Sequence, residues 1–196
     1  MERDRLTAFT DGVLAIIVTI MVLELRPPHG TTFAELIRLW PVFFSYVLSF
    51  IYVAIYWNNH HHFFQLVRKV DGAMLWANLH LLFWLSLVPF TTAWMGENHF
   101  AAAPTALYGG SLLMAAIAWW VMQQVIIRAQ GSTSRLRRAL GRDVKGKLSP
   151  LLYLLGMGLA YVDTRLADLM YGGVALMWLI PDRRVEGLLK ADAASS

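Results

Sequence analysis

An apolar run from Phe9 to Leu25 carries Thr10, Asp11, Gly12, Thr19 and Glu24. A helix that merely anchors a chain is free of charge, whereas a carboxylate at membrane depth costs several kcal/mol unless it faces protein or water. Asp11 therefore marks this segment as an ion path, a proton relay or a polar anchor. A second group, His60-His61-His62, offers imidazoles of the kind that bind zinc. Adjacent helical positions point about 100° apart, so the three rings do not close on one ion. No His-Glu-x-x-His helix accompanies them, and a metal there needs support from Asp71 or His80. A structural or interfacial role is the expectation, with protonation below about pH 6.5 adding positive charge at that face. His80 belongs either to a proton relay or to a neutral pair hydrogen-bonded to Asp11, and the pair is the simpler reading. The sequence has no cysteine, which excludes a disulfide scaffold, a thiolate zinc site, an iron–sulfur cluster and a cysteine nucleophile. It also lacks a phosphate-binding glycine loop, and its serines have no triad partners.

The elements that position these groups are membrane helices. The chain has 196 residues, 57% apolar and 15% charged, with a mean hydropathy of +0.49; soluble domains carry about 25% charged residues. About 20 apolar residues cross a bilayer, which predicts spans at 7–25, 39–57, 73–95 and 101–127. The apolar stretch 148–180 is broken at Asp163, Thr164 and Arg165, giving two short helices, 148–162 and 166–180. At about 1.5 Å per residue each reaches only about 22–25 Å, which calls for a thinned bilayer or longer neighbours. The whole chain, 1–196, reads as one all-α six-helix membrane domain with no room for a soluble module.

Six spans place 14 of the 17 basic residues on one side, namely Arg3, Arg5, Arg68, Lys69, the seven between Arg128 and Lys147, and Arg183, Arg184 and Lys190. Arg26, Arg38 and Arg165 lie opposite. Basic residues accumulate on cytoplasmic loops, so both termini are expected in the cytoplasm. The run Arg135 to Lys147 is read as a juxtamembrane loop that fixes topology and touches anionic lipid, not as a nucleic-acid site. Asp11 and the lack of a small-residue cleavage site argue for a retained first helix rather than a signal peptide. Trp40, Trp57, Trp94, Trp119, Trp120 and Trp178 fall near span ends. Pro27-Pro28 stops the first helix and Pro150 opens the fifth near its first turn. Thr91-Thr92 after Pro89 is expected at a helix end on the outer face, and Gly109-Gly110, Gly156-x-Gly158 and Gly172-Gly173 are expected to bring helices close. The first span is not repeated.

On a helical wheel Ile16, Ile20 and Leu23 lie within about 60° of one another with Gly12 and Thr19 beside them, while Asp11 points about 140° from Ile16. Periodicity leaves two readings of that stripe, ordinary packing or a pore wall. Asp11 reads as an anchor turned into its own subunit, toward Arg5, Asn78 or His80.

The segment from Arg5 through Phe9-Thr10-Asp11-Gly12, Ile16, Thr19, Ile20, Leu23 and Glu24 resembles the signature of the prokaryotic branch of the transmembrane protein 175 family of lysosomal potassium channels, with Thr10 where serine is usual. The resemblance continues through Trp57, His61, Asp71, Trp76, Asn78 and Pro89-Phe90; residues 101–196 match only in span count and hydropathy. It implies an ion channel rather than an enzyme, with six helices per subunit and the first lining a central pore. Prokaryotic members resemble homotetramers, whereas animal members carry two repeats and dimerise, so one signature implies four subunits in a bacterial or archaeal plasma membrane. By that resemblance Ile16 forms the narrowest constriction, Ile20 and Leu23 extend it, and Thr19 adds a hydroxyl layer facing potassium, the permeant ion, with no other cofactor. Arg5, Thr10 and Asp11 hold the pore helix, joined by Asn78 and His80. A ring of isoleucines blocks ions by dewetting, and without a Thr-Val-Gly-Tyr-Gly loop the expected preference for potassium over sodium is modest. Glu24 either concentrates cations at the outer mouth or is simply solvated. The alternatives are a proton-coupled transporter using Asp11 and His80, disfavoured by the missing repeat and the lack of broken midspan helices, and a metal enzyme using the histidine cluster.

Overall fold

A computed structural model describes residues 3–67, 69–131, 134, 137 and 143–179. Every regular element among them is a helix: α1 (Arg3–Leu23), α2 (Phe33–Arg38), α3 (Trp40–Gln65), α4 (Gly72–Ser86), α5 (Val88–Glu97), α6 (Ala102–Gln130), α7 (Val144–Leu159) and α8 (Thr164–Leu179). Four stretches are long and apolar enough to cross a membrane: α1, α3, α4 with α5, and α6. α7 and α8 have 16 residues each, about 24 Å at 1.5 Å per residue, and are joined at Ala160–Asp163. Of the basic residues used to orient the chain, Arg68, Arg135, Arg138, Arg142, Arg183, Arg184 and Lys190 lie outside the described residues, as does the end of the sixth predicted span.

Local chemistry moves several boundaries from their expected places. α3 runs on to Gln65, past the predicted end of the span at residue 57, because nothing between Trp57 and Gln65 breaks a helix; the histidines thus sit in its last turns. Gln130 of α6 donates from Nε2 to the Leu66 carbonyl at 2.9 Å, closing that end. The third span kinks at Leu87, since Pro89 has no N–H to continue the ladder and opens α5 there. Leu87 itself keeps helical dihedrals, so the chain kinks there and continues as one span from Gly72 to Glu97. Thr91 and Thr92 then lie inside α5 rather than at an exposed end: Thr91 Oγ1 is 3.2 Å from Ser111 Oγ, and Thr92 Oγ1 is 2.6 Å from Ser49 Oγ. Membrane interiors offer no water, so buried hydroxyls pair with one another. α7 begins early because the Asp143 carboxylate caps the Gly146 N–H at 3.1 Å, which leaves Pro150 within the helix. At Gly146 a Cβ would run into that carboxylate. α2 was not foreseen; its Phe33 and Ile37 are exposed.

Two apolar cores divide the bundle. One joins Leu6, Leu14, Ile17 and Met21 of α1 to Phe63 and Phe64 of α3, Leu81 of α4 and Met122 of α6. The other is built on tyrosines: Tyr52, Tyr108, Tyr153 and Tyr171 from α3, α6, α7 and α8. Phe100 adopts φ +57°, costly for a bulky side chain; its ring is held against Trp40 and Phe44, each with centroids at 5.8 Å. Close helix approach depends on two of the six glycines flagged in the sequence. Gly109 and Gly156 admit the Tyr171 ring, whose hydroxyl donates to the Thr105 carbonyl at 3.2 Å, whereas Gly158, Gly172 and Gly173 have open space around them. Gly109→Ala should therefore lower stability by about 2–3 kcal/mol through overpacking and the displaced tyrosine. Gly110→Ala, which meets Met157 Cε at an ordinary 3.6 Å, should be neutral; thermal unfolding in detergent compares the two.

Candidate functional site

α1 has two faces of different character. Leu6, Thr10, Leu14, Ile17 and Met21 recur at spacings of three and four and are buried against α3, α4 and α5, the signature of one packed stripe. The opposite stripe, Phe9, Gly12, Ile16, Thr19, Ile20 and Leu23, is exposed: Ile16 by 60% and Leu23 by 73%. No residue of its own chain covers it.

A polar chain locks the packed stripe. Thr10, 1% exposed, accepts from Asn78 Nδ2 at 2.9 Å. Asn78 Oδ1 lies 2.9 Å from His60 Nε2; with the amide hydrogens turned to Thr10, that ring nitrogen must carry the proton. The His60 ring stacks on Phe64 with centroids 4.4 Å apart. Thr10 and Asn78 thus meet through this bond, and His60 completes the chain. The signal was present: Val53, His60 and Phe64 repeat at seven and four, the face of α3 that packs inward.

Asp11 does not reach Arg5, Asn78 or His80. Its Oδ1 accepts from Trp57 Nε1 at 3.0 Å, Trp57 stacks on His61, and His61 Nε2 lies 2.9 Å from Gln65 Nε2. The reason is angular: Asp11 stands at the edge of the packed stripe, facing the flank of α3 instead of α4. His80 accepts from Trp84 Nε1 on its own helix at 3.0 Å, so the expected His80–Asp11 pair is absent. Arg5 is exposed and makes no hydrogen bond or ion pair among the described residues. The three adjacent histidines face three environments, and among the described residues no three His, Asp or Glu side chains converge as metal ligands.

The exposed stripe carries one polar group at its centre. Thr19 Oγ1 donates to the Ala15 carbonyl at 2.8 Å, which consumes its hydrogen and leaves its lone pairs facing outward. Glu24 is exposed just past the end of α1. Beside the stripe, Asp11, Ala15 and Val18 with Phe50, Ala54 and Trp57 line an open apolar groove of about 370 Å³.

Residues 5–89, which contain all of these groups, match the family described as endosomal/lysosomal potassium channel TMEM175. A potassium channel of Chryseobacterium sp. (strain P1-3) is 53% identical over 97% of this chain and 99% of its own. The chain belongs to the TMEM175 family. A solved structure, a lysosomal potassium-selective channel TMEM175 homolog from Chamaesiphon minutus, superposes with a TM-score of 0.80 at 26% identity, covering 92% of this chain and 97% of that one. The human endosomal/lysosomal proton channel TMEM175 is 30% identical over 53% of this chain and 23% of its own length. Similarity to the bacterial TMEM175 relatives extends well past Pro89-Phe90, where the motif-level resemblance faded. The TMEM175 family consists of ion channels, so this membrane protein is not an enzyme.

Proposed function

We propose that four copies of this chain form a potassium channel in a prokaryotic plasma membrane, each a single six-helix domain in which α7 and α8 also span, with both termini in the cytoplasm. The observation that carries this reading is the uncovered Ile16–Ile20–Leu23 stripe on a helix whose other side is fastened by Thr10 and Asn78. An exposed apolar stripe alone suits lipid; on the first helix of a TMEM175 protein it suits a central axis. Ile16 forms the neck, closed to ions because a narrow apolar ring does not hold water, with Ile20 and Leu23 extending it outward. Thr19 presents lone pairs to passing potassium, a weaker field than stacked carbonyls, and Glu24 raises cation concentration at the mouth. The groove flanking α1 seats α1 of the neighbouring subunit, and Thr10, Asp11, Asn78 and His60 hold the pore helix to its own bundle. The potassium-selective character of the Chamaesiphon homolog supports this assignment.

The test is flux into liposomes containing the purified protein under potassium, sodium and choline gradients. Potassium flux exceeding sodium by a modest factor, with choline excluded, is expected. Equal passage of all three cations, or none with the tetramer intact, overturns the reading.

A further inference from the structure

α2 is six residues long, about 9 Å at 1.5 Å per residue, and none of its residues is buried. Its two sides nevertheless differ. On the wheel Phe33, Leu36, Ile37 and Trp40 fall within about 100° of one another, while Glu35 and Arg38 lie opposite. Phe33 is 85% exposed and Ile37 69%, so no described residue covers the apolar side. The polar side is covered by the chain itself. Glu35 alone in α2 is half-buried: its side chain lies where a Cβ on Gly30 would stand, and its carboxylate pairs with the Arg38 guanidinium at 3.2 Å. The loop returning from α1, with Arg26 and His29 exposed, therefore runs over the polar side of α2.

The neighbouring residues indicate what meets the apolar side. α2 passes into α3 through Leu39 alone, and the exposed apolar strip continues from Trp40 to Phe44. Both of those rings rest on Phe100, in the turn between α5 and α6. The groove against α1 is lined instead by Phe50, Ala54 and Trp57, and Phe44 points about 120° from Phe50. The strip thus runs along the flank of α3 turned from the groove, where a neighbouring copy is not expected. An apolar strip that leaves a spanning helix at its end, with a tryptophan at the join, has the composition of the belt where hydrocarbon gives way to headgroups.

We propose that α2 lies in the surface of the bilayer, with Phe33, Leu36, Ile37 and Trp40 set among the acyl chains just beneath the headgroups and the Glu35–Arg38 pair turned to water. Amphipathic helices of this kind sink their apolar face about 5–10 Å into that boundary. In the orientation proposed above, the leaflet is the outer one. The partner is lipid rather than protein, and the anchor fixes the height at which the chain re-enters the membrane as α3.

The sequence contains no cysteine, so a nitroxide label can be placed at one position at a time. Phe33→Cys, Glu35→Cys and Ile37→Cys are labelled in the full chain and reconstituted in vesicles of phosphatidylcholine and phosphatidylglycerol. Collisions of each label with oxygen, which concentrates in hydrocarbon, are compared with collisions with a neutral nickel chelate, which stays in water. Oxygen should exceed the chelate several-fold at Phe33 and Ile37, and the order should reverse at Glu35. Adding Leu36→Glu, which sets a charge in the apolar face, should bring the Ile37 label into contact with the chelate. Chelate access at all three positions, the pattern of a solvated loop, overturns the proposal. So does protection of Phe33 and Ile37 from both reagents, the pattern of a face covered by another subunit. If Leu36→Glu is not recovered, the three single labels decide. The readout is independent of ion flux, so its failure is distinct from a failure of the pore assignment.

Discussion

Ile16→Asn is expected to raise potassium leak by about tenfold or more in the liposome assay, with the protein otherwise assembled as before. The barrier at a closed apolar neck is the cost of wetting it. Four isoleucine side chains around one axis offer water no hydrogen bonds, so the neck empties and an ion would have to shed its hydration to pass. Four amides in their place hydrogen-bond water, and a fall of only about 1.4 kcal/mol in the barrier is already tenfold in rate. Because the Ile16 side chain is exposed in the subunit and touches no part of the core, the substitution leaves folding of the chain untouched. Ile16→Leu keeps the neck apolar and should keep it closed. Unchanged leak in Ile16→Asn with intact tetramers removes Ile16 from the constriction.

Asn78→Leu should produce the largest loss of stability, about 3–5 kcal/mol, seen as a fall in thermal midpoint and in recovered oligomer. The amide serves two buried partners at once, Thr10 at 2.9 Å and His60 at 2.9 Å. Leucine of similar size fills the space and leaves both orphaned, at about 1–3 kcal/mol each. No solvent reaches that depth to compensate. Thr10→Ser, which keeps the accepting oxygen, should cost far less. Asn78→Leu protein of unaltered midpoint and oligomer yield would show that the chain of bonds contributes nothing to holding α1.

Much of this was legible in the sequence because the same residues carry both the pattern and the physics. The four longest apolar runs and the short hairpin around Asp163 follow from periodicity and length, which a bilayer constrains tightly, whereas the wheel grouped Ile16, Ile20 and Leu23 without showing whether that stripe packs inward. The partners of Asp11 did not follow. A wheel gives a direction but not which neighbour occupies it, and α3 rather than α4 flanks that edge. His60 was obscured for a related reason: adjacent helical positions diverge by about 100°, so the triplet alone does not say which ring turns inward. Pro89 was visible, yet its effect depended on the chain resuming as α5, which buries Thr91 and Thr92 instead of ending the span.

The attachment of α1 is uneven along its length. Its directional bonds, at Thr10 and Asp11, are crowded toward one end, while Ile17 and Met21 further along are held by apolar contact, which has no preferred angle and tolerates sliding. Mechanically the helix is a lever with its fulcrum at Thr10. Ile16 stands about 9 Å from that pivot and Leu23 about 20 Å, so a tilt of about 10° sweeps Ile16 by about 1.6 Å and Leu23 by about twice that. If α1 lines a central passage as proposed, its widening grows with distance from the fulcrum, and the segment nearest Thr10 stays almost still while the far end swings.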